Sequence, residues 1–248
     1  MPEPHGVMTL ATGAVHVWKI DLDVLADAHE RLWTFLSDGE RERARRFHLA
    51  RDGTRFVVAH AAVRLILARY LPETPAASLL FSAGPFGKPE LGGPAAGQLQ
   101  FNISHSGAVG LCAVARTPVG VDVERIREDL AFDDIAASHF SPDENVALRG
   151  LPPEQRVAAF FSGWTRKEAY IKAHGDGLAL PLTSFDVALA PDQPAALVAT
   201  RPDPGEARRW SLSSLEVGPG YAAAVAVEDE CRCLRRWRWS MLPARVGG

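Results

Sequence analysis

Two long stretches of helical apolar spacing, each accompanied by short strand-like segments, constrain this chain more than any other feature. In "FVVAHAAVRLILARYL" the apolar positions recur at helical intervals and stop at Leu71, before Pro72, where a fixed φ and a missing N–H end a helix. A second pattern runs from about Pro153 to His174 and meets Gly175, a natural C-cap because glycine enters the left-handed region freely. "AVHVWKI" (Ala14 to Ile20) alternates like a half-buried strand. "DVLADAHERLWTFL" then shows helical spacing of Leu25, Leu32, Trp33 and Leu36, and Ser37 can cap a following helix. Residues 72–97 read as a Pro/Gly-rich connection. "LQFNIS", "AVGLCAVA" and "VGVDVERI" read as strands, the last two joined by "RTPVG", which suits a hairpin turn. Ser141 before Pro142 marks a helix start. "FDVALA", "WSLSSLEV" and "YAAAVAV" supply later strands, and "CRCLRRWRWS" an edge strand with aromatic and basic faces. Each half thus pairs a long helix with antiparallel-looking strands. The expected class is α+β, with an N-terminal lobe of residues 1–115, a C-terminal lobe of residues 116–248 and a boundary near Arg116.

The 248 residues suffice for one large domain or two small ones, and 47% apolar with 23% charged residues predicts a folded chain rather than a disordered one. Its longest apolar runs are too short to cross a bilayer, and "MPEPHGVMTL" lacks the regions of a signal peptide, so a cytoplasmic protein without membrane association is expected. Cys112, Cys231 and Cys233 fit no disulfide framework, and one C-x-C is half a zinc site at best. A net charge of −3 argues against a nucleic-acid partner. Between Arg41 and Arg55, however, six arginines face only Glu42 and Asp52, which fits a solvated helix face or an anion site.

Four motifs carry possible chemistry. In "VGVDVERI" the acids Asp122 and Glu124 lie two apart, on one strand face opposite Val121 and Val123, an arrangement suited to a hard cation or to plain solvation. On the long second helix, Glu168 and Lys172 are four apart, the spacing of a common surface ion pair. Phe161, Trp164 and Ile171 on nearby rows nevertheless show that this helix packs against something substantial. "FNISHSG" offers Asn102, Ser104, His105 and Ser106 directly before a strand, donors fit for a phosphate. "FGKPEL" holds Lys88 in a fixed turn. No G-x-S-x-G accompanies the serines, which leaves a serine hydrolase unsupported. Taken together, carboxylates and cations on separate elements suit the holding of a pyrophosphate and its metal while a hydroxyl attacks.

In this order, "GKP" (Gly87 to Pro89), "FNISHS" (Phe101 to Ser106), "GVDVE" (Gly120 to Glu124) and "WTRKEAYIKAHGDGL" (Trp164 to Leu178) resemble the Sfp-type 4′-phosphopantetheinyl transferases, which activate carrier proteins of fatty-acid, polyketide and nonribosomal-peptide assembly. The resemblance spans from the basic helix near Arg43 to about Phe185. It implies two similar lobes related by a pseudo-twofold, each a long helix on a small antiparallel sheet, with coenzyme A in the cleft between them. It further implies that Asp122, Glu124 and Glu168 hold Mg2+. His105 with Ser104 would receive the 3′-phosphate of coenzyme A; Lys88 would lie near the adenine and phosphates, with Pro89 also among the cofactor-binding residues; Arg43 would contact the nucleotide and Arg55 a phosphate; Lys172 would grip the pyrophosphate together with Lys167. Where relatives often carry a lysine three residues before the position of Arg43, this chain has Glu40.

The implied reaction is attack by a carrier-protein serine on the β-phosphate of coenzyme A, with release of adenosine 3′,5′-bisphosphate and Glu168 accepting the serine proton. A monomer is expected, with an acyl or peptidyl carrier protein docking along "RIREDLAFDDIAASHF" through Arg125, Arg127, Leu130 and Phe132. A noncatalytic coenzyme A-binding module would need the cations but not all three acids. A metal-dependent phosphohydrolase would release nucleotide without any carrier protein.

Overall fold

A computed structural model describes residues 6–24, 26–84, 86–190, 193–201 and 203–240; Leu25, and with it part of the first helical pattern, lies outside them. In chain order the elements are β1 (Ala14–Asp21), α1 (Ala26–Trp33), α2 (Asp38–Arg45), α3 (Ala50–Ala68), β2 (Leu80–Ala83), β3 (Pro89–Gly92), β4 (Gln100–Ser106), β5 (Val109–Ala115) and β6 (Val119–Arg125). There follow α4 (Phe132–His139), α5 (Pro142–Gly150), α6 (Pro153–His174), β7 (Phe185–Val187), β8 (Leu197–Thr200), β9 (Trp210–Ser214), β10 (Tyr221–Glu228) and β11 (Cys233–Trp239). No helix among the described residues is long and apolar enough to cross a membrane.

The mixed α+β class holds, and its layers follow from strand alternation. One sheet has the order β11-β1-β5-β4, another β6-β10-β9. Val15, Val17, Leu111 and Ala113 on the first meet Val121, Val123, Ala223 and Val225 on the second, so the two sheets share a dry core. Their opposite faces are covered by helices. Trp18, Ile20 and Cys112 pack with α3, while Leu212, Ala224 and Ala226 pack with α6. Burying both faces of both sheets explains why β5 is buried along its whole length.

The helix ends obey the local signals. Ser37 and Ser141 each accept the N–H three residues on, and Glu40 and Glu144 bond back to complete capping boxes for α2 and α5. Gly175, at φ 92°, ends α6 in the left-handed region.

Three expectations need correction. "AVGLCAVA" and "VGVDVERI" form no hairpin: β5 pairs with β1 and β4, whereas β6 pairs antiparallel with β10. Both strands are apolar toward the inter-sheet core, so the turn at residues 116–118 carries the chain from one sheet to the other. Pro118, lacking an N–H, contributes its carbonyl to Glu228 of β10's end. Residues 72–97 hold a hairpin, β2 with β3, whose mostly exposed, Pro- and Gly-containing strands leave no alternation to read. Finally, β11 returns to pair parallel with β1, so the tail strand joins the first sheet, which is therefore not purely antiparallel and draws on both halves of the chain.

One glycine sets how closely helix and sheet approach. A Cβ on Gly120 would lie 2.1 Å from the Ala169 carbonyl oxygen and 2.3 Å from the Ala173 nitrogen, so α6 rests directly on the β6 backbone. Gly120→Ala must push the helix away, an overpacking that costs about 1–3 kcal/mol or more. In a chain of this length the expected fall in melting temperature is about 3–10 °C. Calorimetry of the variant checks this; an unchanged transition would contradict the close approach.

Candidate active site between the two sheets

The site is built where β4, the edge of the first sheet, runs beside β6, the edge of the second. Asn102, Ser104 and Ser106 point to one side of β4 because they alternate along it. Their side chains replace the backbone ladder that the two edges lack. Asn102 Oδ1 accepts the Val121 N–H at 2.9 Å, Ser104 Oγ accepts the Val123 N–H at 3.4 Å, and Ser106 Oγ accepts the Arg125 N–H at 3.0 Å. The two hydroxyls then donate onward. Ser104 Oγ donates to Asp122 Oδ1 at 2.8 Å and Ser106 Oγ to Glu124 Oε2 at 2.9 Å.

Helix α6 crosses the same place. Lys172 Nζ donates to Asp122 Oδ1 at 2.5 Å and to Ser104 Oγ at 3.2 Å. Asp122 is only 2% exposed, and its second oxygen, Oδ2, is buried without a hydrogen-bond partner. Glu168 stands one turn before Lys172 and is half-buried. Burial chiefly raises its carboxyl; Lys172 opposes this, while Asp122 and Glu124 raise it further. Glu124 is likewise raised, first by burial, against the Ser106 hydrogen bond, and then by Asp122. Glu124 and Glu168 therefore feel neighbouring carboxylates as negative charge that Lys172 offsets only in part.

That arrangement bears on whether the residues could take a divalent cation. The donors are hard oxygens, the type Mg2+ selects, and one of them, Asp122 Oδ2, is buried without a partner while neighbouring carboxylates raise the proton affinity of Glu124 and Glu168. The set is not closed as it stands. Among the described residues no three His, Cys, Asp or Glu side chains are gathered tightly enough to hold a metal; Lys172 occupies Asp122 Oδ1, and Ser106 holds Glu124. The donor chemistry fits the ion; its coordination would require Lys172 to give way.

Two cavities extend from here and share Gly87, Pro89 and Ile103 in their walls. The nearer, about 290 Å³, is bounded by Lys88, Glu168, Ile171 and Lys172. The farther, about 470 Å³, is lined by Arg43, Phe56, His60, Arg64 and Phe81. Arg43 lies over the Phe56 ring at 5.3 Å, on which His60 also packs with ring centroids 3.9 Å apart. Glu40 is tied down within this wall by His60 Nδ1 at 3.0 Å and Arg64 Nε at 2.9 Å. Burial pushes its carboxyl up, but His60, the Ser37 N–H and Arg64 outweigh that and bring it down to about 2. Neither His60 nor Arg64 is signalled by a sequence motif; only the helical spacing from Phe56 would have placed them on one face of α3.

Several expected site residues lie elsewhere or are otherwise engaged. Lys167 does not reach the cleft: its ammonium is fully buried and bonds Glu144 at 2.7 Å and the Leu182 and Phe185 carbonyls. The helical turn accounts for this, since a residue one before Glu168 points about 100° away. Ser104 and His105 cannot address one phosphate with both side chains, because adjacent strand residues face opposite sides; Ser104 belongs with the acids. His105 is open to solvent along one edge, and desolvation by the cleft wall, then His60 and Lys172, lower its titration. Arg55 forms a two-pronged bond with Asp23, at 2.8 and 3.0 Å, and lines neither cavity. Lys88 lines the nearer cavity, but its Nζ donates to the carbonyls of Val119 and Ala173, and burial lowers it to about 8. Lys172 contacts Asp122, and Glu124 and Glu168 lie near enough to both to feel their charge; Arg43, Pro89 and Lys88 line the cavities.

Comparison with known proteins gives a consistent result. A family model described as the 4′-phosphopantetheinyl transferase superfamily matches residues 118–226. The chain is similar to the 4′-phosphopantetheinyl transferase HetI of Nostoc sp., with 39% identity over 229 residues, 92% of each chain. It is similar to the 4′-phosphopantetheinyl transferase Sfp of Bacillus subtilis, with 32% identity over 206 residues, 83% of this chain and 88% of that one. A solved Thermotoga maritima holo-[acyl-carrier-protein] synthase superimposes with TM-score 0.37 and 22% identity over 46% of this chain and 64% of its own, too little to bear on fold or function.

The charge crowding has a measurable consequence. A carboxyl raised in the folded state contributes stability that is present below its unfolded value and lost as pH rises through the folded one. Neutralising Glu168 should therefore stabilise the cation-free protein. Glu168→Gln is expected to melt above the parent at pH 7.5 in chelator, with the gap closing as the pH falls to the ordinary glutamate range. A pH-independent gap, or a lower melting temperature at pH 7.5, would contradict it.

Proposed function

The chain belongs to the 4′-phosphopantetheinyl transferase superfamily, and on that premise we propose how its residues divide the work of the reaction. The protein is a transferase that moves a phosphopantetheine arm onto carrier proteins. In our reading the donor is coenzyme A and the acceptor a serine hydroxyl of an acyl or peptidyl carrier protein. The observation that carries this reading is that Glu168 and Lys172 line the nearer cavity while interacting with Asp122 and Glu124, with Asp122 Oδ2 left without a partner.

The larger cavity, with Arg43 beside apolar Phe81 and Ile103, has the chemistry of a nucleotide pocket: an apolar wall for a base and a cation for phosphate. Arg43, Pro89 and Lys88 would line the path of the nucleotide, and His105, beside this wall, would meet its 3′-phosphate. Arg55 would have to leave Asp23 to take part. Asp122, Glu124 and Glu168 would hold Mg2+, which when bound draws charge from the diphosphate oxygens. Lys172 lies next to that position and is suited to bind a phosphate oxygen once it leaves Asp122.

Glu168 is suited to accept the proton of the attacking serine, since burial raises its affinity for one. The serine oxygen then bonds to the β-phosphorus, the bond from that phosphorus to the bridging oxygen breaks, and the electron pair leaves with adenosine 3′,5′-bisphosphate. Catalysis of this kind rests on positioning and charge rather than on covalent help from the protein. The carrier protein would dock beside Glu124, where Arg125 and Arg127 are exposed and Leu130 and Phe132 half-buried. We read the helix-covered sheets as lobes related by a pseudo-twofold, residues 1–115 and 116–248, with β11 crossing back to the first, and the molecule as a monomer.

The direct test is incubation with coenzyme A, Mg2+ and an apo carrier protein, with intact mass reporting addition of the arm. Glu168→Gln is expected to lower kcat about 10²- to 10⁴-fold, and the parent's rate to fall at acid pH through a value above the ordinary glutamate range. Chelation should abolish transfer and excess Mg2+ restore it. A fully active Glu168→Gln variant would remove that residue from its role. Nucleotide release without any carrier protein would favour a hydrolase instead.

A further inference from the structure

The most highly buried charge in the second half of the molecule is Lys167, the residue that sequence had directed at the cleft. Its three donors are all satisfied inside the protein: Glu144 Oε2 at 2.7 Å, the Leu182 carbonyl at 2.8 Å and the Phe185 carbonyl at 2.7 Å. The Phe185 ring lies 4.2 Å from the ammonium. Glu144 is as completely engaged. Its Oε2 accepts the Ser141 N–H and its Oε1 the Val187 N–H, both at 2.8 Å. One ion pair thus joins α6 to the start of α5, to the turn before β7 and to β7 itself.

A hub of this kind is an expensive way to hold a helix. Burial raises the Glu144 carboxyl and lowers the Lys167 ammonium, as for charges taken out of water; their mutual attraction opposes it, helped by the Val187 and Ser141 N–H groups at Glu144 and by Asp186 near Lys167. Apolar side chains of similar size often stabilise as well or better. Around the pair they are already abundant, with Phe140, Phe160, Tyr170 and Phe185 in the same cluster. What an apolar contact lacks is direction. Side chains packed by shape alone tolerate small rotations of a helix, whereas three hydrogen bonds at one ammonium do not.

Rotation is the coordinate that matters here. Gly120 fixes how close α6 comes to β6, but a glycine contact leaves the helix free to turn about its own axis. Glu168 follows Lys167 directly, and Lys172 shares its face one turn on. With side-chain ends about 6 Å from the axis, a turn of about 10° moves them by about 1 Å. A displacement of that size at a reacting centre can cost about 100-fold in rate. We infer that the buried Lys167–Glu144 pair is a positioning device that fixes the rotation of α6 and so aims Glu168 and Lys172 into the cleft. This role rests on the reading of Glu168 and Lys172 given above.

The experiment separates aim from stability. Lys167→Met with Glu144→Gln removes both charges at nearly constant volume, and Glu144→Gln alone keeps the carbonyl bonds of Lys167 should the double variant not fold. Thermal melts, coenzyme A binding by calorimetry and carrier-protein transfer are measured on each against the parent. The expected result for the double variant is a cooperative melt above assay temperature, a coenzyme A KM within about threefold, and kcat lower by about 100-fold. Glu144→Gln alone should lose about tenfold in kcat with KM unchanged. A kcat within threefold of the parent in either folded variant, or kcat and coenzyme A binding lost in the same proportion as folded protein, would overturn the role. A parent that binds coenzyme A yet transfers nothing would overturn the reaction itself, and the role with it.

Discussion

The structure depends on two sheet edges being stitched together by side chains. β4 and β6 lie side by side without a backbone ladder, and the amide and hydroxyls of Asn102, Ser104 and Ser106 accept the N–H groups that β6 would otherwise leave unpaired. An unmet N–H in a buried place costs about 1–3 kcal/mol, so each of these small residues is held to its position. The same hydroxyls donate to Asp122 and Glu124. Joining the sheets and orienting the acids are therefore one operation, and neither carboxylate can swing without disturbing the seam.

Helix α6 completes the site, and two of the contacts that hold it act next to the cleft residues. Its backbone rests on Gly120, which sets a distance, and its buried Lys167 bonds to Glu144, which sets a rotation. Between those anchors Glu168 and Lys172 project toward the seam. The result is a concentration of like charge, relieved in part by Lys172 and to a smaller extent by Arg127 and His139, that shows itself in the raised carboxyls of Glu124 and Glu168. A site carrying such a deficit of positive charge is poised for cations or for a proton, and a phosphoryl-transfer reaction that also takes up a proton uses both.

Much of this was legible in the sequence because local rules decide it. The alternation in "VGVDVERI" correctly separated Val121 and Val123 from Asp122 and Glu124, and Ser37, Ser141 and Gly175 marked helix ends where caps formed. The ordered motifs named the family that the similar proteins share. What failed depended on tertiary partners. Lys167 lies next to two cleft residues in sequence and turns inward because Glu144, more than twenty positions earlier, sits in the core. "RTPVG" has hairpin chemistry, but the valines flanking it are needed on two facing sheets. The parallel return of β11 to β1 joins segments some 200 residues apart, which no window along the chain can register.

The central claim is that the seam and α6 present Asp122 and Glu168 to a single ion beside the donor's diphosphate. Anomalous diffraction from crystals grown with coenzyme A and Mn2+, a stand-in for Mg2+, tests it most directly. The account predicts a peak within bonding distance of Asp122 Oδ2 and Glu168, with Lys172 moved off Asp122 and onto a phosphate oxygen. A bound donor with the ion elsewhere, or with Asp122 Oδ2 still unpartnered and Lys172 unmoved, would contradict it.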